Sequence, residues 1–271
     1  MKIASYNVNG VNGRLPRLLE WLHDAQPDIA CLQEIKTSDA TVPAAAITAA
    51  GYHALWHGQP RHHGVALLAR APQRLHELRR GLPGSTDDMQ ARYLEAELQL
   101  GPQRLRVASV YLPNGNPQPG PKFDYKLAWF ERLIHHAASL LRDGVPTLLA
   151  GDFNVVPTDF DIYDPVAWRF DAVMQPETRA CWQRLLAQGW VDATRALHPD
   201  QRVYTFWVNG FAFRRNAGFR MDMLLLSPAL ASRLRRAEVD SACRGADKAS
   251  DHAPVWVTLD LDTDAGQPAL T

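Results

Sequence analysis

The stretch Tyr93–Leu112, YLEAELQLGPQRLRVASVYL, decides the fold class. Apolar side chains recur at alternate positions on both sides of Gly101-Pro102-Gln103, and that tripeptide is a turn. The two halves therefore read as an antiparallel hairpin. Working outward, apolar runs bounded by turn residues recur at Lys2–Val8, Asp28–Gln33, Gly64–Ala69, Pro146–Ala150, Met221–Leu226 and Pro254–Leu261. Between them, Arg14–Ala25, Tyr125–Arg142 and Thr178–Gln188 carry apolar residues at helical spacing; in the first, Leu15, Leu18, Leu19 and Leu22 share a face beside Trp21. A hairpin in a chain whose other strands alternate with helices calls for mixed sheets, so the expected fold is an α/β sandwich of two mixed sheets with helices outside.

Length and composition set the outer bounds. The 271 residues suit one large α/β domain or two small ones, and 46% apolar residues supply a core. Without a long linker or short repeat, one domain over residues 1–261 is expected, with 262–271 as a frayed tail. The N-terminus, MKIASYNVNG, reads as a first strand rather than a leader, and no apolar run approaches the ~18 residues of a membrane span. Cys31, Cys181 and Cys243 follow no pattern of a disulfide framework or zinc site, and a soluble protein of the reducing cytoplasm is expected.

Charge does not announce a partner. Lys+Arg and Asp+Glu both number 29, whereas proteins that grip nucleic acid are usually basic. Basic charge is concentrated in Gln201–Met221, which holds Arg202, Arg214, Arg215 and Arg220 and no acid; for any one of these a solvated surface is the plain alternative.

Polar groups gather at strand ends. SYNVN closes on Asn7 and Asn9, CLQE on Gln33 and Glu34, VYLPNG supplies Tyr111 and Asn114, and LLAGDFN supplies Asp152 and Asn154. RMD and SDH instead precede their strands, placing Asp222, Asp251 and His252 at the entry ends. In mixed sheets outgoing and incoming strands meet at one edge, so six segments can build one pocket. Glu34, Asp152, Asp222 and Asp251 are hard oxygen ligands of the kind Mg²⁺ prefers. Phosphodiester hydrolysis needs an activated water, a cation and donors to the phosphate oxygens, and all are represented. Singly, each signal has a bland reading, as turn aspartate, structural histidine or core tyrosine; the ordered combination carries the weight.

In that order, NVNG, LQEIK, VYLPNG, GDFNV, RMDMLLLS and KASDHAPV resemble the exonuclease III/abasic endonuclease branch of the endonuclease–exonuclease–phosphatase superfamily, from Lys2 to about Leu261. The resemblance implies a four-layer α/β-sandwich with its site at one edge of two sheets packed face to face. It implies a Mg²⁺ ion, with Mn²⁺ as substitute, held chiefly by Glu34 with Asn7 and Asp251 close and Asp152 and Asn154 within reach. Asp152 would orient or deprotonate the attacking water, Asn154 hydrogen-bond beside it, and Tyr111 contact the scissile phosphate. His252, held by Asp222, would stabilise the developing charge. The stretch TFWVNGFAFRRNAGFR, 205–220, occupies the place of a DNA-probing loop. There Phe206 and Phe219 would line a pocket for a base-less sugar, with Trp207 between core and pocket and also touching DNA, while Arg214, Arg215 and Asn216 would reach the phosphate backbone and Asn114 would contact DNA too.

The activity so implied is cleavage of duplex DNA 5′ to abasic sites, removal of nucleotides or blocking groups from 3′ ends, or both, by a monomer. Two alternatives stay open. One is a related phosphodiesterase or phosphatase acting on RNA or small phosphate esters; the other is an inactive nucleic-acid-binding regulator, which would have lost some of Glu34, Asp152, Asn154, Asp222 and His252. The chain departs from the family pattern at Asn9, at Met223 and at His62-His63, where a solvated turn is the simplest reading.

Overall fold

Side-chain parity along the strands organises the computed structural model, which describes residues 1–261; the expected frayed tail, 262–271, lies outside the described residues. The strands are β1 (Lys2–Asn7), β2 (Ile29–Gln33), β3 (Tyr52–His57), β4 (Val65–Arg70), β5 (Leu75–Arg80), β6 (Tyr93–Leu100), β7 (Gln103–Tyr111), β8 (Thr147–Asp152), β9 (Val191–Asp192), β10 (Asp222–Leu226), β11 (Leu234–Val239) and β12 (Val255–Leu259). They form two sheets of six, ordered β11-β12-β1-β2-β4-β3 and β5-β6-β7-β8-β10-β9. Pairs β1–β2 and β7–β8 are parallel and the remaining neighbours antiparallel. The decisive stretch is the hairpin β6–β7, and the sheets are mixed as expected.

The parallel pairs need crossovers, which α1 (Leu15–Ala25) and α3 (Pro121–Arg142) supply. Shorter helices are α2 (Ala44–Ala49), α4 (Pro176–Leu186), α5 (Ala193–Leu197), α6 (Gly210–Arg214) and α7 (Pro228–Ala231). Helices α3 and α4 start earlier than apolar spacing indicates because Pro121 and Pro176 sit in their first turns, where a missing N–H costs nothing. No helix among the described residues is long and apolar enough to cross a membrane.

Alternate residues divide the core into layers. Ile3, Ile29, Cys31, Val65, Leu67, Val107, Leu148, Ala150, Leu224 and Val257 meet between the sheets. The intervening residues face the helices: Ala4, Tyr6, Ala30 and Leu32 pack on α1, and Val110, Leu149, Met223 and Leu225 on α3 and α4. This is the four-layer helix–sheet–sheet–helix sandwich, and Met223 is simply one of its outer-core residues. Within the middle layer, polarity changes along each strand. Ile3, Ser5 and Asn7 follow one another on one face of β1, as do Val107, Ser109 and Tyr111 on β7 and Leu148, Ala150 and Asp152 on β8. One end of the sandwich interior is therefore apolar and the other chemically active.

Candidate active site

Register brings the reactive groups side by side. Asp152 pairs with Tyr111 on one flank and Asp222 on the other. Strand β8 runs through Gly151 to Asp152, past the Ala150 expected from the sequence. A Cβ at Gly151 would lie 1.8 Å from the Val110 carbonyl oxygen, so glycine is required where β7 and β8 meet beside the site. From the facing sheet come Asn7 at the end of β1 and Glu34 just past β2, its backbone turned out of the strand at φ 51°.

Gln33, counted with the strand-end groups, lies one layer below. Ser5 Oγ donates to Gln33 Oε1 at 3.2 Å and Gln33 Nε2 donates to Ser109 Oγ at 3.0 Å. This buried, hydrogen-bonded row separates the apolar core from the site and forms its floor.

Above it the candidate residues join directly. Asn7 Nδ2 donates to Glu34 Oε1 at 2.9 Å and to Asp152 Oδ2 at 3.0 Å, and the Tyr111 hydroxyl donates to Glu34 Oε1 at 2.8 Å. Asn154 donates to Asp152 through its backbone N–H at 2.9 Å and its amide at 3.2 Å, and accepts from Asn114 Nδ2 at 3.3 Å. His252 Nδ1 lies 2.8 Å from Asp222 Oδ2, and Thr205 Oγ1 donates to that same oxygen at 2.6 Å. His252 Nε2 faces Asp152 Oδ2 at 3.9 Å. Asp251 joins through Asn9, whose amide donates to Asp251 Oδ1 at 2.9 Å while its backbone N–H donates to Asn7 Oδ1 at 3.1 Å.

Electrostatics separates the roles. Burial raises Asp152 to about 7 despite the His252 charge, which puts a proton acceptor near neutrality. Burial lowers the His252 imidazolium, but the Asp222 charge and hydrogen bond, with Asp152 and Asp251, outweigh it and carry the group to about 10. Glu34 is raised by burial and lowered further by the Asn7 and Lys36 hydrogen bonds, and ends below the usual carboxylate range.

One ligand atom each from Glu34, Asp152 and His252 lie within 4.8 Å of one another. The imidazole is committed elsewhere: its Nδ1 lies 2.8 Å from Asp222 Oδ2, whose charge favours the protonated ring. The remaining donors, carboxylates of Glu34, Asp152 and Asp251 with the amide oxygen of Asn7, form an all-oxygen set that fits a hard divalent ion. Lys36 Nζ, 2.6 Å from Glu34 Oε2, balances that charge.

Several residues escaped the sequence reading. Lys126, fully buried on α3, donates to the Asn114 carbonyl at 3.0 Å and to the Asn154 carbonyl, tying together the loops that present both asparagines. The Arg92 guanidinium lies 4.6 Å over the Tyr111 ring. His63 is half-buried 6.5 Å from that ring, and burial together with Arg92 pulls it down to about 4. It is a neutral wall residue rather than part of a solvated turn; His62 beside it is exposed.

The DNA-probing stretch is brought to the site, with corrections. Phe206 packs 4.8 Å from His252 and 5.5 Å from Phe219. Trp207 is only 2% exposed, edge-on to Phe213 at 5.2 Å, with its Nε1 donating to Asn216 Oδ1 at 3.4 Å. It holds the loop from inside and cannot touch DNA as expected. Arg220 is likewise buried, donating to Asp161 at 2.7 Å and Asp192 at 2.6 Å, and Arg202 folds over Phe160 at 4.9 Å. Of the four arginines in the acid-free stretch, only Arg220 is buried; Arg202, Arg214 and Arg215 are exposed, the last two over Phe211. Asn216 and Asn114 are also exposed. Phe219 is only 5% exposed, because the indole of Trp168, a residue without a polar signal, packs edge-on against it at 4.6 Å.

With this geometry in place, similarity becomes informative. The profile described as the Endonuclease/Exonuclease/phosphatase family matches residues 4–252. An exodeoxyribonuclease III from Haemophilus influenzae is 34% identical over 265 residues, covering 94% of this chain and 98% of that protein. The structure of an AP endonuclease from Archaeoglobus fulgidus superimposes with TM-score 0.90 at 31% identity, covering 96% of this chain and 100% of its own. A 3′ phosphatase from Neisseria bound to product DNA hairpin superimposes with TM-score 0.88 at 37% identity, covering 96% and 99%.

Proposed function

The chain belongs to the endonuclease/exonuclease/phosphatase family, and from that premise we propose a Mg²⁺-dependent phosphodiesterase of DNA repair, with Mn²⁺ able to substitute. Its substrates are duplex DNA carrying abasic sites, cut on their 5′ side, and 3′ ends bearing nucleotides or blocking groups. The observation that carries the reading is the unbroken line Tyr111–Glu34–Asn7–Asp152, with the charged His252–Asp222 pair opposite.

A bound divalent cation, held by Glu34 with Asn7, Asp152 and Asp251, supplies positive charge against the phosphate. Asp152, oriented by Asn7 and Asn154, accepts a proton from the attacking water. His252 keeps its proton and presents Nε2–H to the nonbridging oxygens, where negative charge grows. Tyr111 contacts the scissile phosphate. Phe206, partly exposed and backed by the buried Phe219, offers apolar surface beside His252 where a base-less sugar would lie, while Asn114, Arg214, Arg215 and Asn216 face the backbone. The protein works as a monomer in the cytoplasm, a placement supported by three unpaired cysteines.

The test is cleavage of a labelled duplex bearing one tetrahydrofuran abasic analogue, beside an undamaged duplex with a recessed 3′ end. Cutting is expected in Mg²⁺, is abolished by EDTA and returns with Mg²⁺ or Mn²⁺. Cleavage that persists in EDTA overturns the mechanism, and inertness toward both duplexes overturns the substrate class.

A further inference from the structure

We propose that Trp168 is a specificity-determining residue, whose indole closes the apolar pocket beside His252 and so favours a 3′-phosphate at a strand end over an abasic sugar inside a duplex. The inference rests on the reading of the site given above and adds a choice between its substrates.

An aromatic row leads away from the catalytic histidine: His252 to Phe206 at 4.8 Å, Phe206 to Phe219 at 5.5 Å, and Phe219 to Trp168 at 4.6 Å. Val156, Ile162, Val173, Met174 and Met221 complete the cluster, all buried. A sugar without its base would need the open face of Phe219, and the indole has taken that place.

Selection by exclusion follows from the chemistry. In both reactions water oxygen bonds to phosphorus and the P–O3′ bond of the preceding nucleotide breaks. Its electron pair stays on O3′, which gains a proton. The products differ only in what remains on the phosphorus. With a 3′-phosphate this is inorganic phosphate; with an abasic site the phosphate still carries the sugar and all the strand beyond it. Only the second substrate must lodge a sugar next to His252, and only the second meets Trp168.

The indole sits where it can be moved. From Asp164 to Trp168 the turn is bonded to itself and its immediate neighbours: Asp164 Oδ1 accepts from the Ala167 N–H at 3.0 Å, the Val166 carbonyl from Arg169 Nη1 at 2.8 Å, and the Trp168 carbonyl from the Asp171 N–H at 2.8 Å. Around it Val166 is 67% and Phe170 70% exposed. Beyond this turn the loop is anchored, by the Tyr163 N–H to the Gly218 carbonyl at 3.0 Å and by Asn116 Nδ2 to Asp171 Oδ1 at 3.0 Å. A change at Trp168 is therefore confined to the rim.

The experiment measures kcat/KM in Mg²⁺ on two duplexes, one with an internal tetrahydrofuran analogue and one nicked with a 3′-phosphate. Trp168→Ala is expected to raise the ratio of abasic to 3′-phosphate turnover roughly tenfold or more, the scale on which a pocket distinguishes groups by size. An unchanged or lower ratio overturns the proposal. If Trp168→Ala fails to fold, Trp168→Leu gives the same comparison with the loop's apolar anchor kept. Indole emission of the wild type minus that of Trp168→Phe, read in EDTA, is an independent check. It should shift to the red on adding the tetrahydrofuran duplex and stay put with the 3′-phosphate duplex; no shift with the former overturns displacement of the indole. Wild-type inactivity on both duplexes is a different result, and defeats the proposed function rather than the role of Trp168.

Discussion

Lys126 puts a cation where the packing alone asks for none. Burial lowers its ammonium to about 7, against about 10.4 in an unfolded chain. Between those values the unfolded chain binds the extra proton, so this group makes stability rise with pH above about 7 and penalises the fold below it. Lys126→Met should abolish that rise, read as denaturation midpoints in EDTA between about pH 6 and about pH 9. It also strips two carbonyls of their donor, at about 1–3 kcal/mol each, and should lower the melting temperature by at least about 4 °C. An unaltered pH profile would show that the ammonium carries no such penalty. His252 has the opposite sign: raised to about 10, it stabilises the fold below its unfolded pKa and loses that contribution as pH climbs toward 10. Asp222→Asn removes the largest of the influences that raise it. Turnover at neutral pH should fall about 10²- to 10³-fold, and the His252 imidazole resonance in EDTA should titrate near its ordinary value. Normal turnover with an unshifted imidazole would contradict the role assigned to the pair. The sequence revealed Asp222 and His252 because a charged group in a strand-end motif has few structural duties. It concealed Lys126 and Trp168, since a lysine on a helix reads as surface and a tryptophan in a loop reads as core.

The eight strands visible in the sequence, β1, β2, β4, β6, β7, β8, β10 and β12, are the eight interior strands of the two sheets, and the four that were missed, β3, β5, β9 and β11, are the four edges. Interior strands bury both faces and so carry the apolar runs from which strands are read. Two of the edge strands are marked by charge: LHELRR in β5 is mostly exposed and LRRAEV in β11 half so. Such residues keep unpaired backbone from recruiting another chain. Replacing Arg79 and Arg236 together by Val should leave turnover intact and raise self-association in sedimentation velocity; a double variant that stays monodisperse would mean that twist or register protects these edges. Another dependence between elements runs through Arg220, two residues before Asp222 on β10, which ties Asp161 in the loop after β8 to Asp192 on β9. Burial raises Asp161, but the Arg220 charge and hydrogen bond outweigh it and hold the carboxyl below the ordinary range. Its contribution is therefore present above about pH 4 and is lost as pH falls through the lowered value. Asp161→Asn leaves Arg220 half-compensated in the interior, a loss of about 3–5 kcal/mol, and should flatten the acid limb of stability. Equal stability at neutral pH would show that Asp192 alone satisfies the guanidinium.

For the whole molecule, zero formal charge was the feature hardest to square with DNA, and the structure reconciles the two by location. Acids line the site itself, where the resemblance places a cation to offset them. Around its rim stand Arg61 beside His62 and His63, Lys122 near Asn114, Arg169 beside Trp168, and Arg214 and Arg215 over Phe211, all exposed and, among the described residues, in no salt bridge. Composition gives only the net total and Arg220 is spent on internal pairing, so this ring could not be read from the sequence. Each phosphate neutralised on duplex DNA adds about 0.9 to the slope of log affinity against log salt, and these five cations limit the slope to about −4.5. Binding of the tetrahydrofuran duplex in EDTA, measured by anisotropy from roughly 50 to roughly 200 mM KCl, should give that value or a shallower one. Arg214→Ala with Arg215→Ala should reduce its magnitude by about 2. A slope of about −8 would mean that DNA wraps onto cations far from the rim, and an unchanged slope in the double variant would remove the α6 loop from the DNA path.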